Sequence, residues 1–152
     1  MLLSPQCFYK ESSLCYNDFL GGVEMSEEEL KTKLLSDLTM INLPVDEVDL
    51  YLRPYSKTYY GRYFPVYNEK EVRPKIYVYP YENQNGEMMS YDLILQTAIH
   101  EFCHHIQYMD KSFKRSKGVM HDPQFWKLYN HYISRAQKFQ IIGGELPDEK
   151  QI

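Results

Sequence analysis

The sequence predicts an α+β protein in which a small antiparallel sheet of about three strands packs on a central helix and on two further helices. Two observations indicate this class. Apolar residues recur at helical spacing in three separate segments, and between the first and second of these they alternate with polar residues at a period of two, as half-buried strands do. The length of 152 residues suits one domain with a sizeable core, so we expect a single domain over 1–152.

The first helix is predicted over about 26–40. Ser26 is followed by three glutamates, which makes a capping box and places acidic residues at the positive end of the helix dipole. Leu30, Leu34 and Leu38 then recur at helical spacing. The preceding segment 1–22 shows no clear period, and we expect an N-terminal arm that packs on the domain.

Three strands are expected next, over 48–53, 59–67 and 75–79. Apolar and polar residues alternate in the first, which ends before Pro54, and the third is bounded by Pro74 and Pro80. Gly61 inside the second segment predicts a bulge or a close backbone approach. We expect the strand at 75–79 to have an open edge, to which an extended peptide could add as a further strand.

A second helix is predicted from the N-cap Ser90 to about Asp110. Its buried stripe is predicted to consist of Leu95, Ala98, Ile99, Phe102, Ile106 and Met109. The last helix is predicted to begin at Asp122-Pro123, because proline is tolerated in a first turn, where its missing N–H has no helical partner. We expect regular structure to end at Gly143 and residues 145–152 to form a loose tail.

The second helix contains the pattern His100-Glu101-x-x-His104. Residues four apart lie one above the other on a helix, so both imidazoles can reach a single metal ion. Glu101 projects about 100° round the helix from His100, which suits a carboxylate that holds a water on the ion without binding the ion itself. A catalytic zinc has three protein ligands and one open position, so a third ligand must come from elsewhere.

All five histidines lie between positions 100 and 131, which narrows the search for the third ligand. His105 points about 100° away from His104 and is expected to support the site or to face solvent. His131 lies more than two turns inside the last helix, which makes it a weaker candidate for the third ligand. His121 is the best candidate, because it immediately precedes a helix start and can be aimed at the facing helix without distorting either one.

The charge and the cysteine content of the chain restrict the binding partners and the cellular compartment that we expect. The net charge of −4 argues against a broad affinity for nucleic acids or membranes. Cys7 and Cys15 are expected to be free thiols, in preference to a disulfide or metal ligands, and Cys103 to be a small apolar helix residue. No apolar stretch approaches the length of a membrane span, and the N-terminus lacks the cationic region of a signal peptide, so we expect a cytoplasmic protein.

The histidine segments resemble those of the SprT-like and YgjP-like zinc metallopeptidases. Those families have a His-Glu-x-x-His helix, a loop, and then a histidine followed within a few residues by an aromatic, as in the segment 121–126 here. They place a glycine-bearing strand and an isoleucine-rich strand before the metal helix, and 61–63 and 75–79 occupy those places. The resemblance covers about 26–140 and is specific only at the two histidine segments.

The resemblance implies a zincin-like fold and a zinc metalloendopeptidase that holds one Zn²⁺ per chain and cleaves a protein or peptide substrate. The ligands that it implies are His100, His104 and His121. It also implies that Glu101 is the catalytic base, which takes a proton from the zinc-activated water and passes it to the leaving amine. Tyr129 or Tyr132 could stabilise the oxyanion, and the sequence does not choose between them.

Two other functions stay open, namely a catalytically silent zinc-binding scaffold module and a metallohydrolase that acts on a non-peptide amide. The loop after the metal helix carries four cations, which could contact DNA, as in DNA-linked SprT-like proteases, or be simply solvated. These cations are Lys111, Lys114, Arg115 and Lys117. The sequence departs from many SprT-like proteins in having no cysteine-rich ribbon, and its spacing from His104 to His121 is longer than the YgjP-like one.

Overall fold

The computed structural model describes residues 6–9, 25–65, 73–112 and 120–143, and the structural findings refer to these residues. The elements in chain order are β1 (Gln6–Tyr9), α1 (Glu27–Met40), a short 3₁₀ turn η1 (Val45–Glu47), β2 (Asp49–Leu52), β3 (Tyr59–Phe64), β4 (Lys75–Val78), α2 (Tyr91–Met109) and α3 (Pro123–Lys138). The predicted α+β class and its three helices are confirmed. The predicted tail 145–152 and most of the predicted arm 1–22 lie outside the described residues.

The strands form one mixed sheet of four strands in the order β1-β3-β4-β2. β3 is antiparallel to both β1 and β4, whereas β2 is parallel to β4. The prediction of an antiparallel sheet of about three strands is therefore wrong in the direction of β2, and it missed β1. Alternation identifies the buried face of a strand, but it carries no information about the neighbour of that strand or their relative direction.

β4 lies between β3 and β2 and is paired with both of them. The predicted open edge at 75–79 is therefore wrong, because the backbone groups on both sides of β4 already have partners in the sheet. Among the described strands the edges are β1 and β2.

Helix α1 begins as the sequence predicts. The Ser26 side chain accepts a hydrogen bond from the Glu29 backbone N–H, and the Glu29 carboxylate accepts one from the Ser26 N–H, both at 3.0 Å. This capping box satisfies two amides that lack helical partners. The leucine stripe is buried as predicted. The Tyr91 hydroxyl donates to Asp37 at 2.6 Å, which joins the start of α2 to α1.

Helix α2 is the centre of the protein. It packs on β1, β3 and β4, and it also packs on α3. Every residue from 97 to 105 is buried, so the middle of α2 has no face open to water. Met109 was predicted to be buried and is 53% exposed in the last turn of the helix, so that part of the predicted stripe is wrong. No helix among the described residues has the length and apolar character needed to cross a membrane.

Candidate metal centre

Two helices bring three histidines together. His100 and His104 lie one turn apart on α2 and are 2% and 0% exposed. His121 immediately precedes α3, whose N-cap is Asp122. The Asp122 carboxylate accepts a hydrogen bond from the Phe125 backbone N–H at 2.9 Å, which fixes the start of α3 and therefore the position of His121.

The three imidazoles converge through their Nε2 atoms. Nε2 of His121 lies 3.1 Å from Nε2 of His100 and 3.2 Å from Nε2 of His104, and one ligand atom from each ring lies within 4.8 Å of the other two. Nitrogen ligands of a tetrahedral zinc, at about 2.0–2.1 Å from the ion, are about 3.3–3.4 Å apart. The three nitrogens are therefore close enough to share one metal ion, and the described residues contain no other such group.

Hydrogen bonding accounts poorly for this convergence. A ring nitrogen carries either one N–H or one lone pair in the ring plane, so Nε2 of His121 cannot form a good hydrogen bond with His100 and His104 at the same time. A cation between the rings removes this conflict, because each ring then points a lone pair at the ion. The donor set and its spacing thus fit a divalent transition metal.

Burial favours the neutral form of two of these histidines. Desolvation lowers the pKa of His100 well below its ordinary value, and the nearby His121 lowers it further. Desolvation also lowers the pKa of His121, with Asp122 acting in the opposite direction. Neutral imidazoles have a free ring lone pair, which is the form that binds a metal.

Aromatic rings from α3 hold the imidazoles in place. Phe125 stacks on His104 with 4.6 Å between ring centroids and meets the rings of His100 and His121 edge-on, at 4.9 Å each. Trp126, the sole tryptophan of the chain, lies 5.6 Å from His121. These contacts restrict rotation of the imidazoles and surround the centre with apolar surface.

Glu101 is fully buried beside the two α2 histidines. Neither carboxylate oxygen has a hydrogen-bond partner among the described residues. Burial raises the pKa of Glu101 well above its ordinary value, and the charge of Arg62 partly opposes this effect. A buried carboxylate without partners is costly, so such a group indicates a role other than stabilising the fold.

Gly61 provides the space for Glu101. A Cβ atom at this position of β3 would lie 2.7 Å from Cγ2 of Thr97 and 3.1 Å from Cγ of Glu101. The close approach at Gly61 is made by side chains of α2, whereas the prediction was a bulge or a close backbone approach. The pairing of β1 with β3 also shifts register between Phe8 and Tyr9, opposite this part of β3.

The other candidate residues lie apart from the three-histidine cluster. His105 is 1% exposed and bonds through its two ring nitrogens to Tyr63 and Glu47. His131 is exposed and contacts the ring of Tyr132. The sequence showed no sign of the partners of His105, because they precede it by 42 and 58 positions and have no common motif with it.

The two tyrosines differ in their described ring contacts. The ring of Tyr129 is buried and lies 6.0 Å from the ring of His100, whereas the described ring contact of Tyr132 is with His131 on its own helix. Tyr129 is therefore the candidate that the described contacts place beside the cluster.

The cysteines and the basic loop are described only in part. Cys103 is buried and free, as predicted. Cys7 lies in β1, and Cys15 lies outside the described residues. Lys111 is exposed, while the three other cations of the loop, Lys114, Arg115 and Lys117, also lie outside the described part of the chain.

No protein-family model, no curated protein and no solved structure matches this chain. The resemblance to the SprT-like and YgjP-like peptidases therefore stays a prediction.

Proposed function

We propose that this protein is a zinc-dependent metallopeptidase in which His100, His104 and His121 hold the metal and Glu101 is the general base. One observation carries the proposal. Three imidazole nitrogens from two helices converge on one point, and the carboxylate next to them in the sequence is buried without a hydrogen-bond partner among the described residues. A chelating set beside a free base is the arrangement that metal-assisted hydrolysis needs.

Zinc is the metal that this donor set favours. His100, His104 and His121 would hold the ion with three ligands and would leave access for water, as in catalytic zinc sites, whereas structural zinc sites have four protein ligands. Zinc in such a site supplies a Lewis acid that polarises a carbonyl and acidifies water.

Glu101 carries the proton transfer in this proposal. Its carboxylate accepts a proton from the attacking water and later donates that proton to the leaving amine of the cleaved peptide bond. Burial raises the pKa of Glu101, which makes its carboxylate a stronger proton acceptor.

Tyr129 is proposed to donate a hydrogen bond to the substrate carbonyl as charge develops on its oxygen. The position of its ring beside His100 supports this assignment over Tyr132. We expect Tyr129→Phe to lower kcat more than it raises KM, since the interaction strengthens in the transition state.

The proposal is tested with the variant Glu101→Gln. This change keeps the shape of the side chain and removes the base, so we expect one zinc per chain, measured by elemental analysis, and no cleavage of an unfolded protein or a peptide library, measured by mass spectrometry. Exposed His131, changed to Ala, is the matched control and should keep both zinc and activity. Zinc binding without hydrolysis in the wild type would instead indicate a scaffold module.

A further inference from the structure

Strand β3 and helix α2 meet at two successive positions. Gly61 faces Glu101, and two residues further along the strand Tyr63 bonds to His105, which lies four residues further along the helix. Four residues of a helix rise about 6 Å, and two residues of a strand rise about 6.6 Å. The two spacings nearly match, so both contacts can form only in one register of α2 against β3.

The second contact is a hydrogen-bonded chain of three side chains. Nδ1 of His105 lies 2.8 Å from the Tyr63 hydroxyl, and Nε2 lies 2.8 Å from Oε1 of Glu47. With the carboxylate of Glu47 as acceptor, Nε2 of His105 is the donor of one bond, and Nδ1 forms the other bond with the tyrosine hydroxyl. Each ring nitrogen thus has one partner, and these partners lie in two separate elements, β3 and η1.

Burial of Tyr63 and His105 makes the hydrogen bonds between these side chains costly to break. Tyr63 is 0% and His105 is 1% exposed, whereas the side chain of Glu47 is 54% exposed. A slide or rotation of α2 would break the hydrogen bonds from His105 to Tyr63 and Glu47, and breaking hydrogen bonds of buried groups is costly. The contact at Gly61 has no such directional bond, so it does not by itself resist a small slide.

We propose that His105 is a positioning residue, which uses Tyr63 and Glu47 to hold the turn of α2 that carries His100, Glu101 and His104 in register with β3. The inference rests on the proposed metal site. Its statement about the position of Glu101 also rests on the proposed function, in which Glu101 is the base. Holding this turn keeps the carboxylate opposite Gly61 and keeps the two α2 ligands ordered before the metal binds. Groups that hydrogen-bond directly to metal ligands typically change metal affinity or activity by about 10–100-fold, and we expect the lower end of this range for His105, which acts on the ligands through the helix.

The test compares zinc affinity in Tyr63→Phe, which removes one hydroxyl, with affinity in Tyr91→Phe. The control removes a comparable hydrogen bond between a tyrosine and a carboxylate at the start of α2, away from the metal centre. We expect a zinc dissociation constant about tenfold higher in Tyr63→Phe and an unchanged one in Tyr91→Phe, although both variants lose stability. A chelator competition gives the dissociation constants, and cobalt quenching of Trp126 fluorescence reports occupancy.

A second variant provides the test if Tyr63→Phe does not fold. Glu47→Ala alters a half-exposed side chain and should weaken zinc binding in the same direction. Dissociation constants within twofold of the wild type in each variant that folds would overturn the inference. If the wild type cleaves peptides, Tyr63→Phe should also lower kcat about tenfold with little change in KM. If it does not cleave them, the proposed function fails, and the affinity comparison still decides the role of His105.

Discussion

Gly61 of β3 and Glu101 of α2 face each other closely. A Cβ atom added to Gly61 would lie 3.1 Å from both Cγ and Oε2 of the glutamate. No left-handed backbone angle requires glycine here. Glycine is required at position 61 only for reasons of space, because the side chain of Glu101 lies where a larger residue would place its own side chain.

Gly61→Ala should therefore lower both stability and activity. The new methyl group would lie 2.7 Å from Cγ2 of Thr97, and overpacking of this kind costs about 1–3 kcal/mol. Urea denaturation measures that loss. The second change Thr97→Ser removes Cγ2 and keeps the hydroxyl that donates to the Leu93 carbonyl, so it should restore much of the stability. Activity should stay low in the double variant, since the contact with Glu101 remains.

Removing the metal should lower the melting temperature. An ion that binds only the folded chain adds about 2.7 kcal/mol of stability at a free concentration 100 times its dissociation constant. We expect a chelator to abolish this gain in the wild type. His121→Ala should show no zinc-dependent shift in melting temperature, whereas exposed His131→Ala should respond as the wild type does. An equal shift in His121→Ala would exclude that residue as a ligand.

Glu101→Gln should stabilise the metal-free protein at neutral pH by about 1 kcal/mol or more. The wild-type carboxylate is buried and has no hydrogen-bond partner among the described residues. Because its pKa is raised, folding at neutral pH must either bury the charge or take up a proton, and a neutral amide bears neither cost. Such a gain in stability on loss of a catalytic group is common at active sites. Equal midpoints in urea for the two proteins, measured with chelator present, would contradict this account of Glu101.

Tyr91 should make the protein sensitive to alkaline pH. Burial and the hydrogen bond to Asp37 raise the pKa of Tyr91 above the ordinary value of 10.0. A group with a raised pKa contributes its full stability below the unfolded-state pKa and loses it as the pH rises toward the folded-state value. We expect the free energy of unfolding to fall more steeply above pH 10 in the wild type than in Tyr91→Phe. Parallel pH curves would show that this bond does not contribute.

Local patterns predicted most of the elements and the two α2 histidines of the cluster. The capping box at Ser26, the leucine stripe of α1 and the start of α3 at Asp122 each depend on residues within a few positions of one another, and each is found as predicted. The same applies to the pairing of His100 with His104, because the helical repeat alone puts residues four apart on one side.

Long-range pairing could not be predicted in this way. The position of β4 between β3 and β2, the parallel direction of β2 and the strand β1 all depend on contacts between distant segments. The open edge expected at 75–79 was wrong for this reason. The bonds of His105 to Tyr63 and Glu47 also join distant segments, and no local sequence pattern indicates them.

The sequence by itself determined three helices and two histidines one turn apart, because helix caps and helical repeats are short-range. Only the tertiary structure decided that Nε2 of His121 comes within about 3 Å of the Nε2 atoms of both. It alone also decided that Glu101 is buried against Gly61 and that His105 holds α2 to β3. These relationships depend on how α2 packs between α3 and the sheet, and packing is set by the shapes of surfaces that are far apart in the chain.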